Sequence, residues 1–538
     1  MSEVSVSRVR SGSPNSAALC RLAFELAALS GWRRSGLSFL LGLVAVAALP
    51  PVDMTPLLGV AFTGLLWLEE GSSGPRASFG LGYAFGFGFF LGGLYWIAGA
   101  LFVDFARFWW LIPIAAVGLP AIFAVYTGLV LFAVNLASRC LSLQLTPRIF
   151  AFAVAWTGAE WVRGHAFTGF PWNLIGSTWA GGFPGGIAIL QTVAWVGIYG
   201  LSFATVLAAS LPALLGAVFP PALFPSRRWA PVVAAALLIG VLGSAGAVRL
   251  ETRPSTVTDT WLRIVQPAIP QSMKWEPGAA EANFQPLIGL SGAPAHNSIA
   301  AIIWPEAATP FLLERDVSHR QRIAAIAPRS GYVITGALRA NPPPAPVVHI
   351  WNSTEVVDAK GDIVARYDKA HLVPFGEYIP LRELLPLRKI TAGTIDFSAG
   401  PGPRTITLPG IPPFAPLICY EAIFPGAVVD EENRPAWLLN LTNDAWYGHT
   451  SGPFQHFASA RARTVEEGLP MVRVANNGIS AVIDSVGRVR ARIDLDMIGY
   501  ADVNLPSAGS RTFYSQAGDW TLLALLLLGL IPVALRQR

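Results

Sequence analysis

The charged residues of this 538-residue chain are spread so unevenly that one globular fold cannot hold them all. Residues 1–248 carry 19 of the 71 charges and no lysine, and the other 52 charges follow Val248. A hydrophobic fraction of 53% with 13% charged residues is a membrane-class composition, and the division shows where the apolar excess sits. We therefore expect a membrane domain over 1–248, a water-soluble domain over 249–510 and a closing transmembrane helix over 518–538. The length alone also asks for more than one domain.

Composition excludes several function classes. The net charge of +5 arises largely from arginines at the ends of apolar segments. No basic patch interleaved with aromatics accompanies it, so nucleic-acid binding is not expected. Three cysteines, Cys20, Cys140 and Cys419, cannot build a disulfide framework. Cys20 reads as a near-surface residue and Cys140 as a buried small hydrophobe. The seven histidines are scattered without ligand spacing, so no metal and no other cofactor is expected.

Apolar segments fall near 37–49, 55–68, 77–103, 108–137, 149–162, 187–219, 230–248 and 520–535. A helical span needs about 20 apolar residues, and the first, second and fifth segments are short by that measure. Arginine decides orientation. Arg8, Arg10, Arg21, Arg33 and Arg34 precede the first segment, Arg76 follows the second, and Arg139 and Arg148 follow the fourth. Arg227 and Arg228 follow the sixth, and Arg536 and Arg538 close the chain. The alternate loops hold none in "PPVDMT", then Arg107, then Arg163. Positive residues mark the cytoplasmic side, which puts both termini inside and the soluble domain outside. "AVA" at Ala45–Ala47 could end a signal peptide, but a retained first helix fits the flanking arginines as well. Within this half, "FTGFPWN" (167–173) breaks helical periodicity and carries Trp172, suited to the membrane interface. Glu160 and Arg163, at i and i+3, are expected to pair with each other. The small residues of "GYAFGFGFFLGGLYW" (82–96) read as a helix-packing face.

Beyond Trp261 the pattern changes to short β-rich runs between Pro/Gly turns: 261–270, 299–306, 331–339, 349–358, 413–421, 436–444, 471–484 and 488–495. Helical patterns follow some of them, in "RDVSHRQRIAAIAPRS" and "QHFASARARTVEEG". "DAKGD" (358–362) and "DSVGR" (484–488) mark hairpins, and "NPPPAP" (341–346) is a loop. Strands alternating with helices imply a layered α/β domain.

Three strand-like runs end in reactive side chains. "PFAPLICYE" delivers Cys419 from an apolar run into a polar turn, "AAIIWPE" ends in Glu306, and "DIVARYDK" ends in Lys369. A free cysteine is ordinarily a core thiol, yet Tyr420 and Glu421 follow at once and are costly to bury unpaired. Near its usual pKa of ~8.5 a thiol needs a base or a cation. Glu306 can be that base, with its pKa raised towards neutrality. Lys369 is one of only four lysines, and lysine, unlike arginine, can give up its proton. Its ammonium would favour thiolate and then hold an oxyanion, with the Tyr420 backbone N–H as second donor. The plain alternatives are a solvated Glu306 and a surface Lys369 paired with Asp368. Taken together, the three form a Glu-Lys-Cys acyl-transfer constellation.

In that order, with gaps of 63 and 50 residues, the constellation resembles the carbon-nitrogen hydrolase (nitrilase) superfamily. The nearer resemblance is to the apolipoprotein N-acyltransferase family. It rests on "VQPAIPQSMKW" (265–275), "IIWPEAATP" (302–310), "HLVPFGEYIP" (371–380), "ICYEAIF" (418–424), "TNDAWYG" (442–448), "GPFQH" (452–456), "NNGISAVI" (476–483) and the membrane motif "TGFPW". One departure is Pro267, where the family pattern has glycine. The resemblance implies a multi-pass α-helical membrane domain plus a nitrilase-like αββα four-layer sandwich. It implies Glu306, Lys369 and Cys419 as catalytic residues, and supporting or substrate-binding roles for Glu377, Tyr420, Glu421 and Trp275. The implied reaction moves an acyl chain from a phospholipid, through a Cys419 thioester, to the N-terminal diacylglyceryl-cysteine of apolipoproteins. It is the last step of lipoprotein maturation, in the bacterial inner membrane with the catalytic domain periplasmic, and in a chain expected to be monomeric. Two other readings fit the residues: a membrane-anchored amidase that hydrolyses a C–N bond, and a transporter or scaffold whose outer domain only binds.

Overall fold

The computed structural model describes residues 14–216 and 229–535, apart from 277, 296, 343, 385–388, 392 and 394. Arg8, Arg10, Arg227, Arg228, Arg536 and Arg538, on which part of the orientation argument rests, lie outside the described residues. The chain forms two compact units, one of 1–95, 113–249 and 517–538, the other of 96–112 and 250–516. Trp96–Ile112, which hydropathy places in the membrane half, thus belongs with the second unit.

In the first unit a helix stands at every apolar segment: Gly31–Val46, Leu57–Glu70, Pro75–Leu94, Leu119–Cys140, Leu145–His165, Val193–Ser210, Ala230–Thr252 and Trp520–Ala534. Pro14–Ala28 adds a helix that the apolar count did not include. Among the described residues, four stretches of the chain are long and apolar enough to cross a bilayer: Pro75–Leu111, whose end from Trp96 belongs to the second unit, Ile114–Cys140, Val193–Gly216 and Ala230–Thr252. Gly82 and Gly86 face Thr127 so closely that a Cβ at either would collide with it. The small-residue face is therefore a helix contact, as its spacing implied.

Two local expectations are corrected and a third is extended. Cys140 is exposed, because it is the last residue of its helix and lies past the packed face. Trp172 is 1% exposed, so it is a core residue of this unit rather than an interface anchor. Glu160 and Arg163 each serve the backbone of the non-helical segment beside them. Arg163 Nη1 donates to the carbonyls of Phe170 (2.7 Å) and Trp172 (2.6 Å). Glu160 Oε1 accepts from the Ile175 N–H (2.8 Å) and Trp156 Nε1 (3.2 Å). Non-helical backbone in apolar surroundings needs such partners, and the two side chains meet that need while Arg163 also acts on Glu160 as the charge opposite it.

The second unit holds two six-stranded sheets. The first has the order β12-β1-β2-β3-β4-β5 and the second β11-β10-β9-β8-β7-β6. The strands are β1 (Val257–Gln266), β2 (Ile299–Ile303), β3 (Tyr332–Ala340), β4 (Ile350–Asp358), β5 (Ile363–Asp368), β6 (Ile406–Leu408), β7 (Ile411–Ile418), β8 (Trp437–Thr442), β9 (Met471–Ala475), β10 (Ser480–Ile483), β11 (Val489–Ile493) and β12 (Gly499–Pro506). The centres of both sheets, β1-β2-β3 and β7-β8-β9, are parallel.

Each sheet is buried on both faces, which explains runs with little polar alternation. In β7, Phe414 and Ile418 enter the layer between the sheets, and Ala415 and Leu417 face Ala460 of the helix Gly452–Glu467. In β2, Ile303 points into that same inner layer, whereas Ile302 meets Phe284 and Leu287 of the helix Ala280–Ser291 and Ile323 of Val317–Ile326. The result is the αββα sandwich. Both hairpins form where the turn residues stood. Asp358 Oδ1 accepts from the N–H groups of Lys360 and Asp362, and Asp484 Oδ1 from those of Val486 and Arg488. The 471–484 run is split into β9 and β10, because Asn476–Ile479 turns the chain back on itself.

Gly336 of β3 shows how tightly the sheet approaches the loop after β2. Its carbonyl accepts from the Ala308 N–H (2.8 Å) and its own N–H donates to the Pro305 carbonyl (3.1 Å). A Cβ there would lie 2.5 Å from Glu306 Cα, Pro305 O and Ala307 N. Gly336→Ala should therefore cost about 1–3 kcal/mol of stability through overpacking, read as a lowered melting temperature in detergent. An unchanged melt would show slack in the backbone that carries Glu306.

Candidate active site

The site is assembled from strand ends. Lys369 directly follows β5, Cys419 directly follows β7, and Glu306 lies three residues past β2. Rigid strands fix their Cα positions while the turns free their side chains. All three are buried, at 7% for Glu306, 1% for Lys369 and 6% for Cys419. Asp368, the surface partner considered for Lys369, is bound by Arg339 at 2.7 and 2.9 Å.

Lys369 Nζ donates to Glu377 Oε1 at 3.0 Å and lies 4.0 Å from Glu306 Oε1. Asn352 Nδ2, from β4, donates to both carboxylates, at 2.8 Å to Glu306 and 3.0 Å to Glu377. The Val373 N–H satisfies the other oxygen of Glu377 at 2.8 Å. By contrast, Glu306 Oε2 is buried with no hydrogen-bond partner among the described residues. A buried carboxylate oxygen without a hydrogen bond is costly, and gaining a proton relieves it.

Cys419 sits in the left-handed region, with φ 51°. Burial pushes its thiol up to about 12, Glu306 adds to the rise, and Lys369 opposes it. Lys369 thus favours the thiolate, in the direction expected, but loss of solvent outweighs that one cation and keeps the thiol protonated at rest. Burial also raises Glu306, against the pull of Lys369. Burial would lower Lys369, but Glu377 and then Glu306 outweigh it and hold the amine above its ordinary value. An ammonium, a neutral thiol and a carboxylate poised as base can deliver sulfur to a carbonyl carbon while moving its proton to Glu306.

The supporting residues divide. Glu377 joins the charge cluster. Glu421 acts as a brace: Oε1 accepts from Tyr367 Oη (2.7 Å) and the N–H groups of Ala370 (2.8 Å) and His371 (3.1 Å), and Oε2 from the Ile418 N–H (2.7 Å). It therefore ties the end of β7 to the segment just past Lys369. The Tyr420 ring packs edge-on against His371 and Phe424. Trp275 is half-buried beside the short helix Gln271–Lys274.

Sequence reasoning missed Lys274 and Asn352. Lys274 is 5% exposed and donates from Nζ to the Glu306 backbone carbonyl at 3.0 Å. Burial lowers its amine to about 8, and Glu306 opposes that fall. Its scarcity, as one of four lysines, was the available signal. Asn352 gave none, since an amide inside a strand run carries no chemical signature.

Two family patterns match the chain. The apolipoprotein N-acyltransferase N-terminal domain matches residues 41–211, and carbon-nitrogen hydrolase matches residues 262–512. A relative from Rhodopseudomonas palustris named apolipoprotein N-acyltransferase is 38% identical over 546 residues, covering 97% of this chain and 98% of its own. One of the same name from Bradyrhizobium diazoefficiens is 39% identical, with the same coverage. A solved amidase from Nesterenkonia sp. is 18% identical with a TM-score of 0.35, covering 50% of this chain and 97% of its own. A likeness that small carries no argument about activity.

A hydrogen bond donated to an ionised carboxylate holds its pKa down. Asn352→Leu removes the amide shared by both carboxylates, so Glu306 should take up a proton at higher pH. The acid limb of the pH–rate profile should then move upward. A limb that stays in place would contradict Glu306 as the base.

Proposed function

This chain belongs to the apolipoprotein N-acyltransferase family, and from that premise we propose that Cys419 carries the acyl chain between two lipid substrates. It is an acyltransferase with a carbon-nitrogen hydrolase-type catalytic domain, and a membrane protein. Phospholipid and lipoprotein are its substrate classes. The observation that carries the residue assignment is the buried meeting of Lys369 with Glu306 and Glu377 at the strand ends beside Cys419.

In the first half-reaction Cys419 Sγ attacks the sn-1 ester carbonyl of a phospholipid, and its proton passes to Glu306. Lys369 Nζ and the Tyr420 N–H stabilise the oxyanion, an arrangement that acts most strongly where water is excluded. Collapse breaks the ester C–O bond. Glu306 returns the proton to the leaving glycerol oxygen, and a lysophospholipid departs from the thioester. In the second half-reaction the neutral α-amino group of a diacylglyceryl-cysteine attacks the thioester carbonyl. With an ordinary pKa of about 8, part of that amine is uncharged at neutral pH. Glu306 takes the amine proton, the C–S bond breaks, and sulfur recovers the proton from Glu306. Glu377 holds Lys369, Glu421 sets the distance between the two strand ends, and Trp275 borders the acyl entrance.

Arginine asymmetry supports an inner-membrane topology with both termini cytoplasmic and the catalytic unit periplasmic. We take the working unit as a monomer. The amidase reading leaves unexplained why residues 41–211 match the acyltransferase N-terminal domain. A binding-only scaffold leaves the clustered base, ammonium and thiol without a use.

Transfer from a labelled phospholipid to a diacylated lipopeptide tests the assignment. Cys419→Ala should abolish transfer, and Glu306→Gln should slow it by about 10²–10⁴-fold, the usual worth of a general base. Transfer by the alanine variant at more than background would overturn the proposal. For the topology, a reporter fused after Arg538 should be active only in the cytoplasm, and periplasmic activity would reverse the orientation.

A further inference from the structure

Three of the sequence motifs, "TNDAWYG", "GPFQH" and "NNGISAVI", border a second buried polar cluster that the mechanism above does not use. It lies behind the nucleophile. His456, on the helix Gly452–Glu467, places Nε2 3.1 Å from the Cys419 backbone carbonyl. Its Nδ1 lies 2.9 Å from Asp444 Oδ1 and 3.1 Å from Arg473 Nη2. Arg473, in β9, donates from Nη2 to Asp444 Oδ2 at 2.8 Å and from Nη1 to Asn440 Oδ1. Asn440, in β8, donates from Nδ2 to the Leu417 carbonyl at 3.0 Å. The path therefore starts at one carbonyl of the nucleophile turn and ends at another, two residues away. Asn440, Asp444, His456 and Arg473 are each no more than 1% exposed.

The backbone at this turn supplies the reason. A non-glycine residue at φ 51° persists only where its surroundings over-determine it. Glu421 holds the Ile418 N–H, and the cluster holds the carbonyls on both sides of Ile418. Burial, aided by Arg473, keeps the imidazole pKa down. The Cys419 carbonyl can only accept, so Nε2 carries a hydrogen; Nδ1, between Asp444 Oδ1 and Arg473 Nη2, accepts from the guanidinium when the ring is neutral and donates to Asp444 when it is charged. Asp444 balances the guanidinium and is held down to about 2, with Arg473 and His456 outweighing burial.

We propose that His456, fixed by Asp444, Arg473 and Asn440, is a positioning residue that holds Cys419 in its left-handed conformation and so places the sulfur for attack. It touches no reacting atom. The inference rests on Cys419 being the nucleophile, as proposed above.

The test is the rate at which the full-length protein in detergent takes an acyl label from phospholipid with no acceptor present. It is measured for wild type and for His456→Gln, His456→Asn and His456→Leu. A glutamine amide can reach the position of Nε2, whereas the shorter asparagine cannot. The leucine and asparagine variants should label about 10²-fold more slowly, the scale of a 1 Å misplacement, with KM for phospholipid unchanged. The glutamine variant should recover to within about tenfold of wild type by restoring the donor. Labelling of a folded leucine variant at the wild-type rate, or equal rates for asparagine and glutamine, would overturn the inference. If the leucine variant does not fold, the asparagine–glutamine contrast decides. A wild type that takes no label would overturn the nucleophile assignment, and this inference with it.

Discussion

A lysine ammonium with 1% exposure survives only because two carboxylates are buried with it. Lys369 sets the terms for the whole catalytic unit. Removing one partner of a buried ion pair costs about 3–5 kcal/mol, because the remaining charge stays stranded. The loop after β2, the end of β5 and the Glu377 turn must therefore close around a single point. Asn352 reinforces this from β4 by bonding both anions at once. The sandwich holds its strand ends together to keep one charge balanced, and the nucleophile inherits that geometry.

The same balance explains how a sulfur this hard to ionise can act as a nucleophile. With Lys274 included, two amines share the site with the carboxyl groups of Glu306, Glu377 and Glu421, and their summed charge is fixed as long as no proton leaves. Passing the thiol proton to Glu306 replaces one anion by another and leaves that sum unchanged. No bulk solvent is needed for the exchange, and the unpartnered Glu306 Oε2 is where the proton is most welcome. A resting thiolate would add a further anion to a buried site, and burial penalises it accordingly.

Much of this was legible because strand termini leave a strong mark in sequence. The apolar runs before Glu306 and Cys419 are buried on both faces, and their abrupt ends in ionisable residues located the site. Turn residues at 358–362 and 484–488 likewise located two hairpins. What stayed hidden was polar chemistry inside regular elements. Asn352, Asn440 and Arg473 sit within strands and His456 within a helix, where only three-dimensional neighbours show what they bond. The spacing of Glu160 and Arg163 showed their i, i+3 relation but not the bonds each makes to the non-helical backbone beside them. Trp96–Ile112 is apolar enough to pass for membrane helix, yet it folds with the catalytic unit, and hydropathy cannot tell those two destinations apart.

Mass spectrometry of the proteolysed protein after exposure to phospholipid alone tests the central claim most directly. The peptide carrying Cys419 should gain the mass of one fatty acyl group, and hydroxylamine should remove it, as it does a thioester. An acyl group found on another residue, or an unmodified Cys419 in enzyme that still transfers acyl chains, would contradict the account.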